Sequence, residues 1–399
     1  MRKRRKLCLI LGLLIFFSAI ADQILLHGFL SDGMLMGRRV APFDPPIFYE
    51  NQERAFARLE NLLDTGEEDE DSFLFDAELG WCSPRSTSND GMEFDEWGAR
   101  RGPASIAKDR TQGVRRILAL GCSFTLGDEV EDAQTWPFLL DESEEAVEIL
   151  NFGVNAYGLD QAWLRYKRDG REVNADEVWL GLLPEASVRL GSMYRPVLGH
   201  WSGPVLFKPR FELREGQLEL IANPAETLHD VHRLLSSQSE FLEALNGNDL
   251  WVQRAPEAYA PWGDSWLHKS GVGRAWLTYA ESGARDPVAW LEDETSEIHV
   301  LLSNLVTAFR EDVERDGARF RLLILPGRDA LAFAQSEGRG YWAGLVDELR
   351  LSGTEVIDLT AACLAAGMVD DKKAWQSGLH YSPKSNGTIA TALRDALKE

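Results

Sequence analysis

The stretch RILALGCSFTLGDEV, residues 116–130, runs from apolar residues into a small-residue turn that holds Ser123. A serine on a turn between a strand and a helix exposes its hydroxyl, and nearby helix-start amides can stabilise an oxyanion. Such a hydroxyl becomes a nucleophile only with a base in hydrogen-bond reach. The chain offers His27, His200, His229, His232, His268, His299 and His380. Only His380, in WQSGLHYSPKSNGTIATAL, lies beyond the last strand-like run and just before a terminal helical one. Loops after the first and the last strand of a parallel sheet open on the same edge, so His380 is the candidate base for Ser123. The bland counterpart is a turn or capping serine and a capping histidine. Asp128 and Glu129, just past the serine, read as charges favoured by a helix start and not as an acid–base pair.

The elements that must position these residues are visible as a pattern change at Arg115. RRILALG, AVEILNFG, DEVWLGLL, RFRLLILP and GTEVIDLT read as buried strands. QTWPFLLDESE, LDQAWLRYKRDG, ALAFAQSEGRGYWAGLVDELRLSG and NGTIATALRDALKE read as helices between or after them. Strands alternating with helices predict a parallel sheet covered on both faces, with active residues outside the carboxyl ends of the strands. A long insertion, about residues 197–315, separates the third strand from the fourth, and LFKPRFELREGQLELI within it predicts a hairpin. Its tryptophans, Trp251, Trp262, Trp266, Trp276 and Trp290, are expected in the core more than as sugar-stacking platforms. Residues 31–110 predict a short helix over ERAFARLENLLD, an acidic run EEDED and an extended cover packed on the core.

The amino terminus puts four basic residues in the first five and an uncharged run from Leu7 to Ala21 behind them. Residues 1–30 therefore predict a membrane anchor, with a cleaved secretory signal as the alternative, and either leaves the basic end in the cytosol with the rest exported. A formal charge of −22, with 64 acids against 42 bases, argues against nucleic acid or anionic lipid as the main partner. Of the four cysteines, Cys8 lies in the apolar head, and Cys82, Cys122 and Cys363 show no metal-ligand spacing; a Cys82–Cys363 disulfide has no support from spacing. No metal or organic cofactor is implied.

Three blocks resemble the SGNH/GDSL hydrolase superfamily: GCSFTLG for its opening block, NFGVNAYGLDQ for its second, and HYSPKSNGTIATAL for its last. ELGW at 78–81 is similar to the lead-in of membrane-anchored members. The resemblance implies a flavodoxin-like, three-layer parallel sheet within residues 111–399. It also implies esterase or deacylase chemistry with Ser123 as nucleophile, His380 as base, and oxyanion donors at Ala156 and Asn155. Departures accompany it: Cys122 replaces the name-giving Asp, Ala156 the oxyanion glycine, and Ala186, beside Glu185, the third block's Asn, with Arg189 retained. Arg189 and Glu185 are candidates for substrate binding or for pairing with each other. Ser377 stands where the family's histidine-orienting Asp lies, and Asp358 or Asp371 are the candidate substitutes. If the family geometry holds at Ser377, Ser377→Asp raises turnover; if another acid already serves His380, the substitution is neutral or harmful.

The expected function is an exported, membrane-tethered serine esterase acting on a small-molecule or polysaccharide acyl ester. An O-acyltransferase modifying an exported polysaccharide is the first alternative, and an inactive homologue binding glycan or a partner protein is the second.

Overall fold

The computed structural model describes residues 13, 16–31, 33–35, 38–43, 50–66, 74–89, 91–101, 113–144, 146–198 and 204–398. The basic head, Cys8, most of the apolar run, the acidic run at 67–71 and His200 lie outside them. Among the described residues no helix is long and apolar enough to cross a membrane.

The central layer is a five-stranded parallel sheet of β1 (Arg115–Gly121), β2 (Val147–Gly153), β3 (Glu177–Leu182), β4 (Arg319–Ile324) and β5 (Val356–Asp358), in the order β5-β4-β3-β1-β2. This is the flavodoxin-like strand order. Ile117, Leu118, Ala119 and Leu120 are each 0 % exposed. Four consecutive buried side chains alternate between the two faces, so both faces are covered, as a strand of unbroken apolar residues requires.

The covering helices are α1 (Ser123–Leu126), α2 (Trp136–Asp141), α3 (Leu159–Arg168), α4 (Glu297–Arg315), α5 (Arg328–Glu337), α6 (Ala343–Leu351) and α7 (Pro383–Leu393). Helix α4 packs against α3 and α6, and α2 packs against α7. Right-handed crossovers put these two groups on opposite faces of the sheet. Because β1 sends its crossover to β2 on one side while β3 lies on the other, its carboxyl end is the switch point of the sheet. Ligands of open α/β sheets bind at such points.

The extension before β1 contributes the helix Glu50–Thr65 and two small hairpins, Leu74–Asp76 with Gly80–Cys82 and Thr87–Asn89 with Met92–Phe94. It inserts Trp81 and Trp97 into the same core as the sheet. Buried Arg165 on α3 binds it further, donating to the carbonyls of Phe152 at 2.9 Å and Gly98 at 2.7 Å.

Within the insertion, Arg210–Arg214 pairs with Gln217–Ile221 as the expected hairpin. The last part of the span is α4, the crossover from β3 to β4. Its tryptophans divide. Trp251 is buried and donates to the Val188 carbonyl at 2.9 Å, with half-buried Trp290 edge-on against it. Trp262, Trp266 and Trp276 are 55 %, 76 % and 57 % exposed, against the expectation of core packing. For Trp276 the physical reason is that the Gly271–Gly283 helix turns Arg274, Leu277 and Glu281 inward, which leaves this residue on the opposite face. Cys82, Cys122 and Cys363 are free, so no Cys82–Cys363 disulfide forms.

Candidate active site

β1 ends at Gly121, and α1 begins at Ser123 with no room for a longer loop. Gly127, at φ 81°, closes α1 in the left-handed conformation, its N–H donating to the Ser123 carbonyl at 2.9 Å. The helix rests directly on the strand ends. A Cβ on Gly153, at the end of β2, would lie 2.2 Å from the Leu126 nitrogen, so β2 must finish in glycine for α1 to sit there.

Opposite this turn, the segment after β5, which includes the short helix Thr360–Ala365, leads into α7, whose amino terminus Ser382 caps through its side chain. The Gln376 N–H donates to the His380 carbonyl at 2.9 Å, and Tyr381 donates to the Pro326 carbonyl at 2.8 Å. Phe124 packs on both rings, 5.4 Å from His380 and 4.8 Å from Tyr381. His380 Nε2 then lies 3.0 Å from the Ser123 hydroxyl. The two residues singled out from the sequence as nucleophile and base are hydrogen-bonded. Ser123 itself is buried, and the solvent-facing side of the pair is the His380 ring, 18 % exposed.

The third partner is Glu129. Its Oε2 is 2.8 Å from His380 Nδ1, while Oε1 accepts from the Ser377 hydroxyl at 2.8 Å and from the Gly378 N–H at 2.7 Å. Its carbonyl accepts from Gln376 Nε2 at 3.1 Å. A Cβ at position 378 would lie 2.6 Å from Oε2, so Gly378 is what lets the carboxylate reach the ring. With a carboxylate on Nδ1, that nitrogen carries the proton and Nε2 faces the serine as an acceptor. Burial pushes the Glu129 carboxyl up, but hydrogen bonds from His380, the Gly378 N–H and Ser377 outweigh it, and the group lies below its ordinary range.

None of the three candidates for the acid holds the ring. Ser377 is a donor to Glu129 and not itself the histidine's partner. Asp358 accepts from the Thr360 N–H and from the Trp342 indole, and Asp371 accepts from the Lys373 N–H and pairs with Lys384 at 2.7 Å. The helix-start reading of Asp128 and Glu129 is also corrected: both follow the end of α1, where the dipole disfavours negative charge. Gly127 as a helix terminator was the readable signal that these acids needed another partner. Glu129 further sits at φ 65°, a conformation rare outside glycine. Asp128 accepts from Asn155 Nδ2 at 2.9 Å and lies 3.8 Å from His380 Nε2.

Ala156, the residue in the oxyanion glycine's place, has φ 62°. The backbone there keeps the left-handed form natural to glycine, which sets its N–H direction irrespective of the methyl group. Its loop is clamped by the extension: the Trp81 indole donates to the Asn155 carbonyl at 2.9 Å, and Tyr157 donates to the Trp81 carbonyl at 2.6 Å. Cys122 and Tyr157, the neighbours of Ser123 and Ala156, line one small cavity, so the two turns face each other. The Asn155 side chain is committed to Asp128.

Arg189 and Glu185 do not pair. Arg189 donates to the Tyr157 carbonyl at 2.7 Å and so supports the same loop. Glu185 accepts from the N–H groups of Gly327 at 3.4 Å and Ala330 at 3.2 Å at the start of α5. Burial raises its carboxyl to about 7 despite hydrogen bonds from its own, the Ala330 and the Gly327 amides. Among the described residues no group of three or more His, Cys, Asp and Glu is placed to hold a metal ion.

No protein-family pattern matches this chain, and no curated protein matches it. Solved structures similar to it include an acetyl xylan esterase, 11 % identical over 71 % of this chain and 99 % of that one, TM-score 0.36. A psychrotrophic esterase from Pseudoalteromonas sp. is 11 % identical over 71 % and 97 %, TM-score 0.35. A member of the lipolytic G-D-S-L family from Veillonella parvula DSM 2008 is 9 % identical over 72 % and 100 %, TM-score 0.33.

Proposed function

We propose that this chain is a serine hydrolase of the SGNH type, an esterase or deacylase that works through Ser123, His380 and Glu129. The observation that carries it is the continuous relay from the Ser123 hydroxyl through His380 to Glu129, at 3.0 and 2.8 Å. A serine, an imidazole and a carboxylate in that order make an activated nucleophile whatever their order along the chain.

The Ser123 oxygen attacks an ester carbonyl as its proton passes to His380 Nε2. The imidazolium so formed is stabilised by Glu129, and the oxyanion by backbone N–H groups at Ser123 and Ala156. His380 returns the proton to the departing alcohol, leaving an acyl-serine. Water then attacks the acyl carbon, gives its proton to His380, and frees the acid as Ser123 recovers its hydrogen. A sugar hydroxyl in place of that water would give the O-acyltransferase outcome with the same three residues. The completed relay weighs against an inactive binding protein. We place the catalytic domain outside the cytoplasm, tethered by the apolar amino terminus.

Fluorophosphonate labelling of the full chain, with hydrolysis of short-chain aryl esters alongside, tests the reading. Both are expected to vanish in Ser123→Ala and to persist in Ser336→Ala, an exposed serine on α5. A folded wild-type protein that neither labels nor hydrolyses would overturn it.

A further inference from the structure

The apolar amino-terminal segment and the insertion meet at one place. Asp22 accepts from the Ser270 hydroxyl at 2.9 Å and from the Val272 N–H at 2.7 Å, at the start of the Gly271–Gly283 helix. The two segments touch so closely that a Cβ on Gly271 would lie 2.9 Å from the Leu26 nitrogen and 3.0 Å from the Asp22 carbonyl. Beside this junction the helix presents an apolar stripe to solvent. Val272, Trp276 and Tyr279, on one face by helical spacing, are 60 %, 57 % and 79 % exposed. The helix's two charged residues, Arg274 and Glu281, are both buried. Trp266 in the preceding turn is 76 % exposed, and Trp262, stacked on His268 under the Arg274 guanidinium, is 55 % exposed. On the amino-terminal side Phe16, Phe17, Ile20 and Ile24 are exposed as well.

An amphipathic helix normally turns its charges outward; this one turns them inward. Tryptophan and tyrosine concentrate where a bilayer meets water, because their rings are apolar and their N–H and O–H groups need wet partners. The apolar run of residues 7–21 leads straight into the junction.

We propose that the face formed by Trp262, Trp266, Val272, Trp276 and Tyr279 rests in the interface of the bilayer that holds the amino-terminal segment. It is a second membrane contact, from the insertion, that fixes the orientation of the catalytic domain. This rests on the anchor reading. Attraction is apolar and not ionic, in keeping with the acidic chain, so neutral lipid suffices.

The test uses the full chain reconstituted in phosphatidylcholine vesicles, with and without brominated acyl chains, and compares it with W262F/W266F/W276F, whose fold is checked by its melting curve. The wild-type emission is expected to be quenched and the quenched part to fall by at least half in the variant. A chain that floats with vesicles but shows quenching unchanged by the substitutions, or none, overturns this proposal alone. A chain that does not float overturns the anchor as well. A dimer in detergent that Trp276→Glu dissociates, with no bromolipid quenching, would give the face to a second copy and overturn the bilayer.

Discussion

Glu129 holds His380 from the loop that carries Ser123, and the hydroxyl of Ser377 steadies that carboxylate from the histidine's loop. Donor and acid have changed places relative to the pattern the sequence suggested. Glu129→Gln should therefore lower turnover on an aryl ester by about 10³–10⁴-fold, the scale seen when a triad loses its orienting carboxylate, with residual labelling of Ser123. Ser377→Asp, expected from the sequence to raise turnover only where no other acid serves His380, should lower it, by about tenfold or more, because two carboxylates in contact resist joint ionisation. Steady-state rates at neutral pH decide this; a gain in Ser377→Asp would show that Glu129 is not the working acid.

At the scale of elements, the turn that carries Ser123 depends on a residue far outside the three resembling blocks. Arg100, 5 % exposed, donates to the carbonyls of Leu126 at 3.2 Å, Gly127 at 2.5 Å and Val130 at 2.5 Å, and pairs with Asp132 at 2.6 Å. One guanidinium thus ties down the loop that carries Glu129. Arg100→Met would leave these carbonyls without their donor, and a loss of roughly 3 kcal/mol or more is expected by urea denaturation, with turnover falling even where the variant stays folded. Stability within 0.5 kcal/mol of wild type would mean the loop holds itself. Strands were readable at this scale because unbroken apolar runs are what a doubly covered sheet needs. The clamp was not, since an arginine in an irregular segment has no pattern that reveals its partners.

For the molecule as a whole, two expectations follow. Glu185 holds its proton more tightly when folded than its ordinary value of 4.5, up to about 7. A raised carboxyl favours the folded state fully at low pH and loses that contribution as pH climbs from the unfolded value to the folded one. Between pH 5 and 8 the wild type should lose on the order of 2 kcal/mol that Glu185→Gln does not lose, read as the difference between their urea midpoints at the two pH values. Parallel slopes would show the carboxyl to be unperturbed. The second concerns topology. Protease added to intact spheroplasts should degrade the catalytic domain and spare a tag at the amino terminus; a protected domain would sink the exported reading.

By itself the sequence determined the five strands, the hairpin in the insertion, and the pairing of Ser123 with His380. Apolar run length, turn residues and order along a parallel sheet are local or topological, and they survive without coordinates. Only the tertiary structure decided which carboxylate meets His380, the clamp and the outward tryptophans. Glu129 and His380 meet across a gap no spacing encodes, Arg100 reaches three carbonyls of another segment, and Trp276 faces outward because the helix carrying it turns its inner face to Arg274, Leu277 and Glu281. Which side of a helix is buried depends on what lies against it, and that is a property of the folded chain.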